Sequence, residues 1–277
     1  MKVDLQAFAR FDERSPFLFT EHSIIVQEEK SIAILDKEGR IPIPICTIAC
    51  LLLGPGTKIT HQAVLNAVEG GCTLFWTGEE GIRFYAAGHE FYGKSQNLLS
   101  QVILFAEENK RIGIARKLYQ MRFKEIIPAD YNLNQIRGLE GNRVRSAYKA
   151  LAKEYDIEWK GRDYDRQNWK ATNPINRAIT CANACLYGIS TAAILALGFS
   201  PQIGFVHTGF STAFTCDIAD LYKVSEFLPI AFRVTAEGSQ DIEPRVRYAC
   251  RDFIRESHFM RRIVKDLKRI FDDSIDT

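Results

Sequence analysis

Residues 178–201 contain no charged side chain, and no other stretch restricts the fold so strongly. The run is long enough to cross a bilayer. It is also rich in Ala, Cys, Gly, Thr and Ser and includes Asn183, so its hydrophobicity is mild. Such a segment belongs at the centre of a helical core, surrounded by amphipathic partners, and not in a membrane. Asn173 followed by Pro174 sets its start as an N-cap with proline at the first helical position, and Gly198 closes it.

The partners are present. Helical periodicity dominates from Ser95 onward, over residues 98–107, 112–123, 132–155, 174–197, 215–227 and 245–271. Upstream, residues 15–87 read as short strands at 17–19, 24–26, 31–35, 41–45, 47–53, 72–76 and 82–86, with a short helix at 61–69. Asp36-Lys-Glu-Gly39 and Gly54-Pro55-Gly56 supply turn chemistry. The character changes near Ala87-Gly88. The expected fold is α+β, with a small N-terminal β-sandwich-like domain over residues 1–88 and a larger all-α domain over residues 89–277.

A formal charge of +2 hides local asymmetry. Lys110, Arg111, Arg116, Lys117, Arg122 and Lys124 follow one another with no acid between them, and residues 245–269 hold nine Lys and Arg against Asp252, Glu256 and Asp266. Such clusters suit either a polyanion-binding face or solvated helix surfaces. The seven cysteines form no compact disulfide framework, and Asp4, Arg10, Asp12, Glu13 and Arg14 argue against a signal peptide. A reduced, cytoplasmic setting is expected. Cys181 with Cys185, and Cys46 with Cys50, read as small core residues. No phosphate-binding loop, dinucleotide fingerprint or serine-hydrolase elbow is present.

The chemistry gathers in residues 204–223, GFVHTGFSTAFTCDIADLYK. With a helix starting near Thr215, at about 100° per residue, Asp217 and Asp220 lie on the core side among Leu221, Val224, Phe227 and Leu228. Lys223 and Glu226 then share a water-facing arc with Ala219. Two carboxylates on a core-facing side need a metal or an arginine nearby. A second anomaly lies in residues 132–155, where Ile136, Glu140, Val144, Ala147, Leu151 and Tyr155 form an apolar stripe with a glutamate inside it. Gly138 and Gly141 flank Glu140 and leave room for another backbone or a ligand. The bland alternative pairs Glu140 with Arg137 or Arg143 on its own helix. His207, in the turn Val206-His-Thr-Gly209, leads towards the aspartate helix. Glu140, His207, Asp217 and Asp220 are therefore the candidate catalytic residues. One imidazole with two or three carboxylates suits Mg²⁺ or Mn²⁺.

These residues, with Gly54-Pro-Gly-Thr57 and His61, Gly81-Ile-Arg-Phe-Tyr85, Arg137-Gly-Leu-Glu-Gly-Asn-Arg-Val-Arg145, Tyr187-Gly188, Gly204-Phe-Val-His-Thr-Gly209, Asp217-Ile-Ala-Asp-Leu-Tyr-Lys223 and Ala249-Cys-Arg-Asp252, resemble the CRISPR-associated integrase–nucleases numbered first among the Cas proteins, and the subtype I-E branch most. The resemblance implies a homodimer, two of which flank a dimer of the second Cas protein. That assembly inserts foreign DNA as a spacer into the CRISPR repeat array, by attack of a spacer 3′-hydroxyl on a repeat phosphodiester. It assigns metal ligation to Glu140, His207 and Asp220, with Asp217 a further acid near the site. It also assigns DNA contact to Arg83, with Arg137, Arg143 and Arg145 in the matching helix motif. Tyr164, Trp169 and Tyr187 match positions that recognise the single-stranded 3′ end of otherwise double-stranded incoming DNA. His22 stands where relatives carry a tyrosine that stacks on the spacer duplex, and Phe210 where some carry lysine. Two readings from other classes are a metal-dependent phosphohydrolase acting on a small substrate, and a DNA-binding scaffold whose acids only pair with arginines.

Overall fold

The computed structural model describes residues 11–78, 84–88, 95–123, 125–162 and 172–272. Arg83, Tyr164 and Trp169 lie outside the described residues. Strands β1 (Ser15–Thr20), β5 (Ile48–Leu53), β7 (Thr73–Thr77) and β8 (Phe84–Gly88) form one sheet in the order β1-β5-β7-β8. Its β1–β5 and β5–β7 pairings are parallel and β7–β8 is antiparallel. Strands β2 (Ile24–Glu28), β3 (Ser31–Leu35), β4 (Arg40–Ile43) and β6 (Lys58–Ile59) form a second sheet, ordered β4-β3-β2-β6. Helix α1 (His61–Glu69) starts at Thr60, whose side chain accepts a hydrogen bond from the Ala63 N–H.

Every residue of β5 is buried, so the strand reads as an unbroken apolar run with two covered faces. Ile48, Leu51 and Leu53 pack with Ile25, Ile32 and Leu74 beneath the second sheet. Ala49, Cys50 and Leu52 turn the other way, into a core shared with the helices. The first sheet is thus the middle layer, and the boundary near residue 88 is bridged by one continuous apolar core.

The helical half comprises α2 (Gln96–Ala106), α3 (Glu108–Arg122), α4 (Leu133–Glu154), α5 (Pro174–Ala196), α6 (Ala213–Ala219), α7 (Leu228–Ala236), α8 (Ile242–Glu256) and α9 (Phe259–Phe271). Asn173 caps α5 by accepting from the Asn176 N–H at 2.9 Å. This helix, whose single charged residue is Arg177, packs on α6, α7, α8, α9 and β5. Its most apolar window, of mean hydropathy 1.5, is 72% buried inside the fold. It is a core helix. The thiols of Cys181 and Cys185 are buried along it.

Two of the expected helices are broken in the structure. The helix expected over 215–227 stops at Ala219, and after a turn Lys223–Phe227 winds as a π-helix. The change of winding rotates the face: Ala219 is fully buried, and Lys223 and Glu226 tuck their charges against Asp220 and Arg262 instead of facing water. Helix α7 follows directly. Pro229 lies in its first turn, where a missing N–H breaks no helical bond. The expected helix over 245–271 breaks at His258, whose φ of 51° ends α8 and starts α9.

Candidate active site

The turn at residues 204–209 and the Asp217 carboxylate form one unit. Asp217 is wholly buried. Its Oδ2 accepts the Phe205 N–H at 2.5 Å and the Val206 N–H at 3.0 Å, and its Oδ1 accepts the His207 N–H at 2.9 Å. Oδ1 also takes the His207 Nδ1 proton at 2.8 Å. Four donors compensate a charge that burial would otherwise make costly. Gly204 is required by the tightness of the turn, since a Cβ there would stand 2.3 Å from the His207 carbonyl oxygen and 2.7 Å from the Ala213 carbonyl carbon. Gly209, at φ 87°, leads out of the turn. With Nδ1 donating to Asp217, the other ring nitrogen of His207, Nε2, lies 3.9 Å from Asp220 Oδ2.

Asp220 is the C-cap residue of α6, where the helix dipole disfavours a carboxylate. Cations answer it. Lys223 Nζ donates to Asp220 Oδ1 at 2.5 Å, and Arg122 Nη1 lies 3.6 Å from Asp220 Oδ2. Burial pushes the Asp220 carboxyl up, but Lys223, Arg122 and His207 outweigh it and hold the pKa below the usual carboxylate value. Burial alone would lower the Lys223 ammonium, while Asp220 and Tyr187 raise it above its ordinary range.

Glu140 comes from the middle of α4, as its apolar stripe predicts, with Ile136 fully buried beside it and Asn142, Lys149 and Lys153 exposed opposite. Its partner is Arg122 of α3, whose Nη1 lies 3.8 Å from Glu140 Oε1. Neither same-helix arginine takes that role. Arg137 donates to the Val206 carbonyl at 3.2 Å, tying α4 to the turn, and Arg143 donates to the Arg122 carbonyl with its guanidinium 5.0 Å from the Phe123 ring. Among the described residues, nothing lies within 4 Å of where a Cβ at Gly138 would stand.

Glu140, Asp220, Arg122 and Arg143 line one small cleft with Val224 and Ser225. Both Arg122 contacts to these acids exceed hydrogen-bond length, and among the described residues Glu140 Oε2 is buried without a hydrogen-bond partner. A buried carboxylate oxygen without a hydrogen bond, beside a second acid that has His207 Nε2 3.9 Å away, is a donor set that fits a hard divalent cation. Among the described residues, no three His, Cys, Asp or Glu groups already stand close enough together to enclose one.

Arg122 is the site residue that sequence reasoning missed. It sits inside the basic run of residues 110–124, yet its side chain is 4% exposed. Others of that run also turn inward: Arg116 donates to the carbonyls of Pro128 and Tyr131, and Lys117 donates to that of Asp272 at 3.3 Å. Of the remaining predicted DNA contacts, Arg145 is exposed on α4 and donates to Asn142 at 2.5 Å. Tyr187 is half-buried against the core with the Lys223 ammonium 5.3 Å from its ring. His22 is exposed, on the β1–β2 turn of the N-terminal half.

The family described as "CRISPR associated protein Cas1" matches residues 119–239, the span that carries all four acid and histidine candidates. The "CRISPR-associated endonuclease Cas1 2" of Thermus thermophilus is 42% identical over 268 residues, covering 97% of this chain and 82% of that protein. The fold is similar to the crystal structure of TtCas1, with TM-score 0.84 and 39% identity over 94% of this chain and 99% of that one. The chain of the TtCas1–DNA complex gives 0.69 at 42% identity, covering 93% and 96%. This chain belongs to the Cas1 family of CRISPR-associated proteins.

Proposed function

We propose that this chain is a metal-dependent DNA endonuclease and integrase of CRISPR adaptation, acting in the cytoplasm. The observation that carries the reading is the cleft itself: two part-buried acids face an arginine without hydrogen-bonding to it, and Glu140 Oε2 is left without a partner. Mg²⁺ or Mn²⁺ held by Glu140, His207 and Asp220 would, when bound, polarise a phosphoryl oxygen and favour ionisation of an attacking spacer 3′-hydroxyl, or of water in the nuclease reaction. Asp217 orients His207 so that Nε2 is presented, and Arg137 holds the turn that carries it. The exposed Arg145, with Arg83, contacts DNA phosphates, which binds the backbone without reading sequence. Tyr164, Trp169 and Tyr187 meet the single-stranded 3′ end, and His22 the duplex end. The division at residue 88 separates a dimerising β domain from the catalytic helical domain, and two homodimers flank a dimer of the second Cas protein.

On a plasmid carrying the repeat array, Glu140→Ala and Asp220→Ala are each expected to abolish Mn²⁺-dependent spacer insertion. Full insertion by either variant would overturn the assignment. A second reading has its own observation: Arg122 already faces both acids, as a DNA-binding scaffold would require. That reading predicts no divalent-metal binding by calorimetry at neutral pH.

A further inference from the structure

We propose that Arg122 is a resident counter-ion of this site, holding Glu140 and Asp220 in the metal-free protein and competing with a divalent cation for them. The inference rests on the ligand assignment above and adds a positioning residue to it. Arg122 is the last residue of α3, and its guanidinium is held from two sides: Nη2 donates to the Asp217 carbonyl at 3.2 Å, and the Tyr119 ring lies 5.1 Å away. Nη1 faces the two acids at 3.6 and 3.8 Å, while Nε has no hydrogen-bond partner. The charge is therefore anchored to the scaffold but not bonded to the carboxylates it neutralises.

That arrangement has two consequences of opposite sign. Without a metal, the guanidinium offsets the repulsion and desolvation of two part-buried acids. With a metal, the same anchored cation stays close to the ion as a like charge and weakens its binding. A residue that merely packed between α3, α4 and α6 would have neither effect. Arginine suits the task because it stays charged at any physiological pH and its donors are anchored in the plane of the fork.

The test uses the full chain and MnCl₂ alone. In EDTA, Arg122→Met is expected to melt several degrees below the parent protein. The double variant R122M/E140Q recovers most of that loss, because one acid no longer needs a counter-ion. By calorimetry, R122M binds Mn²⁺ about tenfold tighter or more. R122K, which keeps the charge, stays near the parent in both measurements. A melting loss that E140Q does not recover, or Mn²⁺ affinity unchanged or lowered in R122M, would overturn the proposal. If R122M is insoluble, the double variant decides: parent-like melting in EDTA supports the counter-ion role and failure to fold removes it. Failure of the underlying ligand assignment looks different. Mn²⁺ binding would then survive E140Q and D220N together, and the EDTA melting comparison would still judge Arg122.

Discussion

Among the described residues, two arginine–carboxylate groups are largely buried, and they are built differently. Arg177 of α5 meets Glu243 of α8 in a bidentate pair, Nε to Oε1 and Nη2 to Oε2, both at 2.6 Å, with Glu243 only 3% exposed. Arg122 faces Glu140 and Asp220 at 3.8 and 3.6 Å, and among the described residues Glu140 Oε2 has no hydrogen-bond partner. The first pair is saturated and ties two core helices together. The second balances charge while leaving lone pairs unused. Residue types are alike and each group joins a buried side chain to part-buried ones, so hydrogen-bond saturation separates a structural pair from a site awaiting a ligand.

Asp217 belongs with the saturated group, and the strongest effect is expected there. Asp217→Ala strands three backbone N–H groups and the His207 imidazole, and should cost about 4 kcal/mol of unfolding free energy in a denaturant titration. A loss below 1 kcal/mol would break the comparison. Glu243→Gln comes next. It leaves the half-buried Arg177 opposite a neutral amide and should cost about 3 kcal/mol while leaving Mn²⁺ binding unchanged. Lys223→Met removes the one direct hydrogen-bonded cation of Asp220, and a cost of about 1 kcal/mol is expected because the pair is partly solvated. Glu140→Gln should change stability least, within about 0.5 kcal/mol of the parent, because no hydrogen bond is lost at Oε2.

The sequence carried the anomalies but not their resolution. Glu140 inside an apolar stripe, and Asp217 with Asp220 on the core side, are visible because amphipathic patterning makes a misplaced acid conspicuous. The central helix is legible from Asn173-Pro174 and from the charge-free run that begins at residue 178. Arg122 was hidden, since a base within a basic run looks solvated until the fold buries it. Nor could periodicity separate Asp217 from Asp220. Their roles come from the turn at residues 204–209, which packs its N–H groups onto one acid and leaves the other to the cleft, and from the break after Ala219 that resets the helical phase.

The central claim is that the unsaturated acid group is the metal-binding one. Mn²⁺ calorimetry on the parent protein, Glu140→Gln and Glu243→Gln tests it most directly. The parent is expected to bind Mn²⁺, Glu140→Gln to lose that binding at nearly unchanged stability, and Glu243→Gln to keep it despite lowered stability. Equal Mn²⁺ binding by the parent and Glu140→Gln would contradict it.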